Sequence, residues 1–165
     1  MAATMKIYEL SASMAGTDKT SSTVRFKLAD NTTVDSNNPI TIPASGYTRS
    51  FSKQLRLYCA TAPDTQIDNL RAYSDGTSGF GTGITTNGSN VGGTFSANAS
   101  SAITNGTDLF EHTSGAPFNL DAVHTGAVTA TGFCGDILKL QMVVASTASS
   151  GTKSAETLTF AYDEI

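Results

Sequence analysis

Tryptophan is absent from this chain of 165 residues, which also has only two cysteines and four prolines. Charged residues make up 15% of the chain, well below the roughly 25% of an average soluble protein. A disulfide framework or a zinc site needs several closely spaced cysteines, so neither is expected. We therefore predict that Cys59 and Cys134 are buried free thiols, because an unpaired cysteine behaves as a small apolar side chain.

The net charge is -4 and the isoelectric point is near 4.9. Nucleic-acid binding requires clustered lysine and arginine, so this charge balance disfavours it. No apolar run approaches the roughly 18 residues of a membrane span, and the start from Met1 to Leu10 lacks the basic and continuously apolar parts of a secretion signal. We expect a soluble protein that is made in the cytoplasm and binds neither nucleic acid nor membrane.

Threonine, serine, glycine and asparagine are abundant instead. This composition suits short strands joined by turns, because threonine packs on a pleated surface and the other three close turns. Strand patterns occur at 5–10, 23–28, 40–42, 51–59, 67–73, 109–120, 137–145 and 157–162. The clearest alternation is in 137–145, which predicts a central strand. In 23–28 the alternation predicts a half-buried strand with Arg25 and Lys27 on the face opposite the apolar residues.

About eight strands, with no amphipathic helix and no βαβ alternation, predict an all-β fold. We expect one domain, 1–165, built as a two-sheet antiparallel sandwich that is jelly-roll-like. Residues 74–106 are rich in glycine, serine and threonine, which predicts short irregular strands within a long extended loop region. Residues 1–20 are interpreted as an extended N-terminal arm. Both segments have few apolar anchors, so we expect neighbouring chains to order them.

Metal chemistry has one weak candidate among the histidines. His112 and His124 lie in turn-rich segments and lack the i, i+4 spacing that lets two imidazoles on a helix share a metal. Glu111 beside His112, with Asp108 nearby, could form a corner for a divalent metal. The alternative is ordinary polarity of a solvated loop, which we favour.

Three aspartates, Asp64, Asp68 and Asp75, are candidate oxygen ligands for calcium. Their spacing does not match an EF-hand loop, and a role in turns and strand caps is the favoured interpretation. Arg56 and Arg71 lie on either side of this region, and we expect them to pair with these aspartates, a kind of surface contact that contributes little.

Glycines alternate at Gly79, Gly81 and Gly83. Neither a lysine nor a helix start follows them, so phosphate binding lacks its usual charge and dipole. We predict that these glycines permit positive φ angles in a surface loop. Four glycosylation sequons are interpreted as turns; they are at Asn31, Asn87, Asn98 and Asn105.

Aromatic residues leave a second class of function open. Tyr47, Tyr58 and Tyr73 could stack on sugar rings, although tyrosine in strands is more often a half-buried packing residue. No nucleophile with a base, carboxylate pair or metal cluster is convincing, so we expect no enzyme, no cofactor and no catalytic or metal-binding residues.

The segment from Gln54 to Tyr73, QLRLYCATAPDTQIDNLRAY, and the ending from Glu156 to Ile165, ETLTFAYDEI, flank the polar middle. Together they resemble small β-sandwich structural proteins of tailed-bacteriophage virions, particularly capsid decoration, or cement, proteins. The resemblance spans most of the chain and transfers no site residues. It implies a virion location, a homo-oligomer and contact with the major capsid protein or other virion proteins across subunit joints. A carbohydrate-binding module, a tail or fibre component and, more remotely, a small hydrolase are the alternatives.

Overall fold

The computed structural model describes residues 2–11, 13–104 and 106–165. Ten strands occur in these residues: β1 Thr4–Ser11, β2 Ser13–Asp18, β3 Tyr47–Arg49, β4 Lys53–Thr61, β5 Ile67–Tyr73, β6 Ile84–Asn90, β7 Thr107–Asp108, β8 Phe118–Asn119, β9 Gly132–Ala145 and β10 Thr159–Glu164. A 3-10 helix, Leu109–Glu111, follows β7. In the described part of the chain no helix is long and apolar enough to cross a membrane.

The strands form two antiparallel sheets. The larger has the order β2-β1-β4-β9-β6-β7, and β3 pairs with the end of β9 that β4 does not reach. The smaller has the order β10-β5-β8. The predicted two-sheet antiparallel sandwich is confirmed, with ten strands in the described residues instead of about eight.

The main core lies between the two sheets. β4 and β9 supply most of its residues from the larger sheet, and β5 supplies residues that face them. The buried members are Leu55, Leu57, Cys59, Ile67, Leu70, Ala72, Leu109, Leu120, Cys134, Leu138 and Leu140. Burying a leucine or isoleucine side chain fully contributes roughly 1.5–3 kcal/mol, so this layer dominates the stability of the sandwich.

The predicted strands at 51–59, 67–73 and 157–162 correspond to β4, β5 and β10. The predicted central strand is the second half of β9, which bonds to β3, β4 and β6. The predicted strand-turn-strand unit at 109–120 is only partly correct, since it begins with the 3-10 helix and ends with two residues of β8.

The register of β9 against β4 shifts at a bulge around Gly135 and Asp136. Gly135 has a φ of +64°, a conformation that side chains rarely adopt. The Asp136 N–H donates to the Leu120 carbonyl. The Asp136 carboxylate accepts the backbone N–H groups of Val123 and His124 at 3.0 and 2.6 Å. The bulge therefore ties a surface loop to the central strand.

Two predicted strands, 23–28 and 40–42, are wrong, because neither segment pairs as a strand. Phe26 does pack against the core. The Lys27 carbonyl accepts a hydrogen bond from the Phe51 N–H at 3.0 Å, but this bond does not belong to a pair of strands. Lys27 is only 1% exposed and does not lie on a solvated face. The alternation in 23–28 therefore predicted neither the burial of Lys27 nor the absence of a partner strand.

The predicted strand at 5–10 is confirmed as β1, and 74–106 contains the strand β6. The extended arm at 1–20 and the ordering of both segments by neighbouring chains need correction. β1 lies inside the larger sheet, bonded to β2 on one side and to β4 along most of its length on the other. β6 pairs with β9 in unbroken register from Ile84 opposite Val144 to Asn90 opposite Leu138. Both segments therefore find partners within one chain. Composition could not reveal this, since backbone bonds to distant strands hold these polar segments.

Cys59 and Cys134 are free and buried, as predicted, and lie on the adjacent strands β4 and β9. Removal from water raises the pKa of both thiols, that of Cys134 from 9.0 to about 11. Both thiols therefore keep their protons at neutral pH.

We expect the protein to lose stability as the pH rises from about 9 to about 11. The Cys134 thiol of the unfolded chain ionises near 9, whereas the folded chain holds its proton until about 11, so alkali favours unfolding. Two pKa units correspond to about 2.7 kcal/mol. Urea unfolding at pH 8 and pH 11 should show a smaller loss for Cys134→Ala than for the unchanged chain. Equal losses in the two proteins would contradict this assignment.

Candidate interaction surface

The outer face of the larger sheet points away from the smaller sheet. Along β4, Leu55 and Leu57 face the core, whereas Gln54, Arg56 and Tyr58 face outward. This outer face has two parts. One carries aromatic rings, and a loop covers the other.

Three aromatic rings meet on the first part. The register places Tyr58 opposite Lys6 of β1 and Phe133 of β9, and Tyr8 opposite Arg56. The ring centroids are 5.4 Å apart for Tyr8 and Tyr58, 5.6 Å for Tyr8 and Phe133, and 5.1 Å for Tyr58 and Phe133. All three side chains are half-buried. We call Lys6, Tyr8, Arg56, Tyr58 and Phe133 the aromatic patch.

Arg56 fixes the base of the aromatic patch. It is 5% exposed, and its guanidinium lies 5.8 Å from the centre of the Phe133 ring. Its Nε donates to the Gly135 carbonyl at 3.0 Å and its Nη1 to the Gly93 carbonyl at 2.8 Å. Burial lowers the Arg56 pKa, but a guanidinium remains charged in a protein. The predicted pairing of Arg56 with nearby aspartates is wrong, because its side chain binds backbone carbonyls.

An ion pair forms the rim of the patch. Lys6 Nζ lies 2.9 Å from an Asp18 carboxylate oxygen. Hydrogen bonds from the Thr20 hydroxyl and N–H, together with Lys6, hold the Asp18 pKa at about 2. The hydrogen bond to Asp18 raises the Lys6 pKa in turn. The rim thus carries one charge of each sign at neutral pH.

A loop covers the second part of the outer face. We call residues 95–103 the strap. It lies over Ser52 and Gln54 of the β4 side and over Gln141 of β9, all of which are 0% exposed. The Gln141 amide donates to the carbonyls of Ser50, Ala99 and Ser101. The outer face is therefore covered through polar contacts, in contrast to the apolar inner face.

A buried group of charges lies on the inner face, at one end of the sandwich. Glu9 is 2% exposed, and its Oε1 is 2.9 Å from Lys53 Nζ and its Oε2 3.4 Å from Lys19 Nζ. Lys53 and Lys19 also donate to the carbonyls of Asn31 and Thr32, at 2.6 and 2.9 Å. We call Glu9, Lys19 and Lys53 the lysine cluster. It holds a polar loop against the end of the core.

Lys27 fastens the same loop at another point. Its ammonium is 3.1 Å from an Asp35 oxygen, although the lysine is 1% exposed and the aspartate 31%. Hydrogen bonds from Lys27 and the Asn37 N–H lower the Asp35 pKa. The burial of these lysines could not be predicted from the sequence, because a lysine beside turn residues ordinarily lies in solvent.

The residues of the proposed metal corner have other partners. The Asp108 carboxylate accepts the Phe110 N–H and caps the 3-10 helix. His112 Nδ1 lies 3.1 Å from the Ala116 carbonyl, and its ring packs edge-on against Phe118. His124 lies in a different loop. Across the described ranges, His, Cys, Asp and Glu nowhere form a group of three or more that could hold a metal ion.

The aspartates near β5 are dispersed. Asp64 lies in the turn before β5 and Asp68 within it, while Asp75 accepts the N–H two residues later in a turn, the predicted role. Arg71 pairs with Asp163 of β10 at 2.8 Å, which corrects its predicted pairing and lowers the pKa of Asp163. Arg71 binds Asp163 and not the predicted aspartates because β10 pairs with β5 in the smaller sheet and places Asp163 beside Arg71.

Two of the alternating glycines have the predicted conformation. Gly81 and Gly83 have φ angles of +90° and +77°. Gly79 does not have a positive φ, and a Cβ at this position would meet only the end of the flexible Glu156 side chain. Among the sequons, Asn87 lies in β6 and not in a turn. Asn105 lies outside the described residues.

The three tyrosines of the sugar hypothesis do not share a surface. Tyr47 is 63% exposed on β3, opposite Ala145 at the far end of β9, twelve residues along this strand from Phe133. Tyr73 belongs to the smaller sheet. Tyr58 instead joins Tyr8 and Phe133, which were not singled out from the sequence. The sequence signal for Tyr8 was its place next to Ile7 in a strand pattern, which puts the two side chains on opposite faces of the sheet.

No protein-family model matches this chain, and no similar curated protein or solved structure was found by sequence or by fold.

Proposed function

We propose that this protein is a non-enzymatic structural component of a tailed-phage virion, a capsid decoration protein. It binds the head surface as a homo-oligomer and stabilises the joints between subunits of the major capsid protein. It requires no cofactor. The aromatic patch is the surface that contacts the capsid.

The residue types in the aromatic patch and the fixed positions of its side chains support this proposal. Tyrosine, phenylalanine and arginine are enriched in the energetically important centres of protein interfaces. The rings of Tyr8, Tyr58 and Phe133 are held by each other and by Arg56, which has two backbone hydrogen bonds. A surface that is already ordered loses little conformational freedom on binding.

The surroundings of the patch are also those of an interface. The Lys6 and Asp18 pair supplies a polar rim with no net charge. The patch lies on an open sheet face, which offers area for a broad contact without a deep cleft. The resemblance to small β-sandwich decoration proteins supplies the identity of the partner.

Replacement of Tyr58 by alanine should weaken binding to phage heads that lack this chain by about 30-fold. This factor corresponds to the roughly 2 kcal/mol that removal of a central interface aromatic costs. Co-sedimentation of purified protein with such heads measures the affinity. Tyr47→Ala is the matched control, since Tyr47 is exposed on β3 at the other end of β9, away from the patch, and its replacement should change the affinity less than threefold.

A second variant guards against an effect on folding. Lys6→Glu leaves the three rings in place but sets two like charges on the rim, and it should also weaken binding. Heads decorated with unchanged protein should withstand higher temperature than bare heads. Equal head binding by Tyr58→Ala and the unchanged chain, or no binding by the unchanged chain, would overturn the proposal.

A carbohydrate-binding module is the second candidate, because Tyr58 does lie beside two other half-buried aromatic rings. The rings, however, are inclined to one another by 59° to 79°, whereas stacking on a flat sugar favours an open ring face. Glycan-array binding that disappears in Tyr58→Ala would favour this function. Sedimentation with isolated tails and not with heads would instead assign the chain to a tail or fibre.

A further inference from the structure

A small hollow lies in front of Gly93, at the edge of the aromatic patch. Gly93 does not have a positive φ, and a Cβ built on it would lie 3.0 Å from Arg56 Nη2 and 3.2 Å from His124 Nδ1. Two side chains that carry hydrogen-bonding nitrogens, one from β4 and one from the loop before β9, therefore lie around the same point. We call Arg56, Gly93 and His124 the glycine niche.

One arm of the Arg56 guanidinium is left without an acceptor. Its Nε and Nη1 donate to the carbonyls of Gly135 and Gly93, but Nη2 has no hydrogen bond and no carboxylate pairs with it among the described residues. Nη2 is not one of the unpartnered polar atoms that are fully shut off from solvent, so a ligand can reach it. Because an arginine stays charged in a protein, Nη2 is a permanent donor for an acceptor from outside the chain.

Hydrogen bonds to β9 hold the glycine niche in place. The Val91 N–H donates to the Ile137 carbonyl at 3.1 Å, and the Ile137 N–H donates to the Gly92 carbonyl at 2.7 Å. The Asp136 carboxylate accepts the His124 N–H at 2.6 Å and fixes the loop on the other side. A site that is held in this way before a ligand arrives loses little conformational freedom on binding.

The charges around the niche favour one class of ligand. Arg56 is positive, whereas Asp136 in the adjacent bulge of β9 is a buried carboxylate and opposes a second negative charge. This balance disfavours a doubly charged phosphate. A carboxylate has a single charge and two oxygens in one plane, which is the arrangement that a guanidinium binds best.

We propose that the glycine niche binds the carboxylate of an acidic side chain, and that the protein covering the aromatic patch supplies this side chain. One carboxylate oxygen accepts from Arg56 Nη2, and the other lies on the side of His124. Val123, which is 67% exposed, lies next to Gly92 and offers the same partner an apolar contact. The inference rests on the proposed capsid contact and names the chemical group that the capsid presents there.

Acetate titration tests the niche without the partner. The backbone amide signals of Gly93 and His124 are followed by NMR in the isotope-labelled full chain, with sodium acetate and with sodium chloride at equal ionic strength. We expect acetate alone to give shifts that saturate. These shifts should be about fivefold smaller or less in Gly93→Ala, since its Cβ fills the niche and removes the space for the charged hydrogen bond.

Gly115→Ala is the matched control for this titration. Gly115 is exposed and does not have a positive φ, and a Cβ there meets only Thr113 Oγ1 at 3.9 Å. Its acetate shifts should equal those of the unchanged chain. Shifts that do not saturate, or that are as large in Gly93→Ala as in Gly115→Ala, would refute the carboxylate site.

Co-sedimentation with phage heads tests the source of the carboxylate. Gly93→Ala should bind heads about tenfold more weakly than Gly115→Ala, the effect of losing a charged hydrogen bond. His124→Ala removes only an exposed side chain, so it should fold normally, and it should weaken binding about threefold.

The outcomes separate this inference from the proposed function. Head binding by Gly93→Ala and His124→Ala that equals that of Gly115→Ala, while Tyr58→Ala binds weakly, would refute the acidic partner and leave the capsid contact standing. An unchanged chain that does not bind heads would refute both the capsid contact and the capsid as the source of the carboxylate. The acetate titration then decides whether the niche takes a carboxylate at all.

Discussion

Replacing Glu9 by glutamine should lower the free energy of unfolding by about 3–5 kcal/mol, the cost of removing one partner from a buried ion pair. Glu9 is the carboxylate that faces both Lys53 and Lys19, and all three side chains are at most 5% exposed. The glutamine has nearly the same shape but no charge. Both ammonium groups would then lie out of water without a counter-charge, with only neutral carbonyl oxygens to accept from them.

Urea unfolding of Glu9→Gln measures this loss. Asp163→Asn is the matched control, because it makes the same change of carboxylate to amide at the exposed pair with Arg71. Its effect should be much smaller, since solvent screens surface ion pairs. A Glu9→Gln protein as stable as Asp163→Asn would show that the lysine cluster does not stabilise the fold.

The lysine cluster also explains why its members should not be equivalent. Two lysines share one carboxylate, so removing Lys53 leaves a balanced pair of Glu9 and Lys19. Removing Glu9 leaves two unbalanced cations. We therefore expect Lys53→Met to be less destabilising than Glu9→Gln in the same unfolding experiment.

Gly135→Ala should destabilise the protein by about 2–5 kcal/mol. Its φ of +64° costs an alanine about 1–2 kcal/mol. A Cβ there would also lie 2.6 Å from Leu70 Cδ1 and 2.8 Å from the Leu120 carbonyl oxygen. The Leu120 carbonyl accepts a hydrogen bond from the Asp136 N–H in the bulge, so it cannot move aside freely. Overpacking of this kind adds about 1–3 kcal/mol.

Gly46→Ala separates these two effects. Gly46 has a similar φ of +69°, but a Cβ at this position meets no other atom within 4 Å. Thermal or urea unfolding should show the conformational cost alone for Gly46→Ala and a clearly larger cost for Gly135→Ala. Equal losses would mean that the bulge relaxes without strain.

Strands with apolar alternation could be predicted from the sequence, and strands without it could not. Leu138 and Leu140 revealed the central strand because their burial on one side leaves a period of two. β6 contains Thr85, Asn87 and Gly88 and has no such pattern, because its pairing with β9 depends on backbone groups. Long-range pairing of polar strands is invisible to local composition.

The candidate surface was predictable only in part, for a similar reason. Tyr58 was recognised as a possible binding residue, but its neighbours Tyr8 and Phe133 come from strands 50 and 75 positions away in sequence. Only the register of β1, β4 and β9 brings them together. The burial of Lys27 and Lys53 could not be predicted either, since nothing in the residues next to a lysine indicates that a loop will fold over it.

The strap gives the sandwich an unusual thermal character. Unfolding exposes apolar surface from the inner face, which raises the heat capacity, but it also exposes the glutamines, serines and backbone amides beneath the strap, which lower it. The two layers therefore act in opposite directions on the curvature of stability with temperature. A sandwich with this polar second layer has a flatter stability curve than one of equal size that buries apolar residues on both faces of its larger sheet.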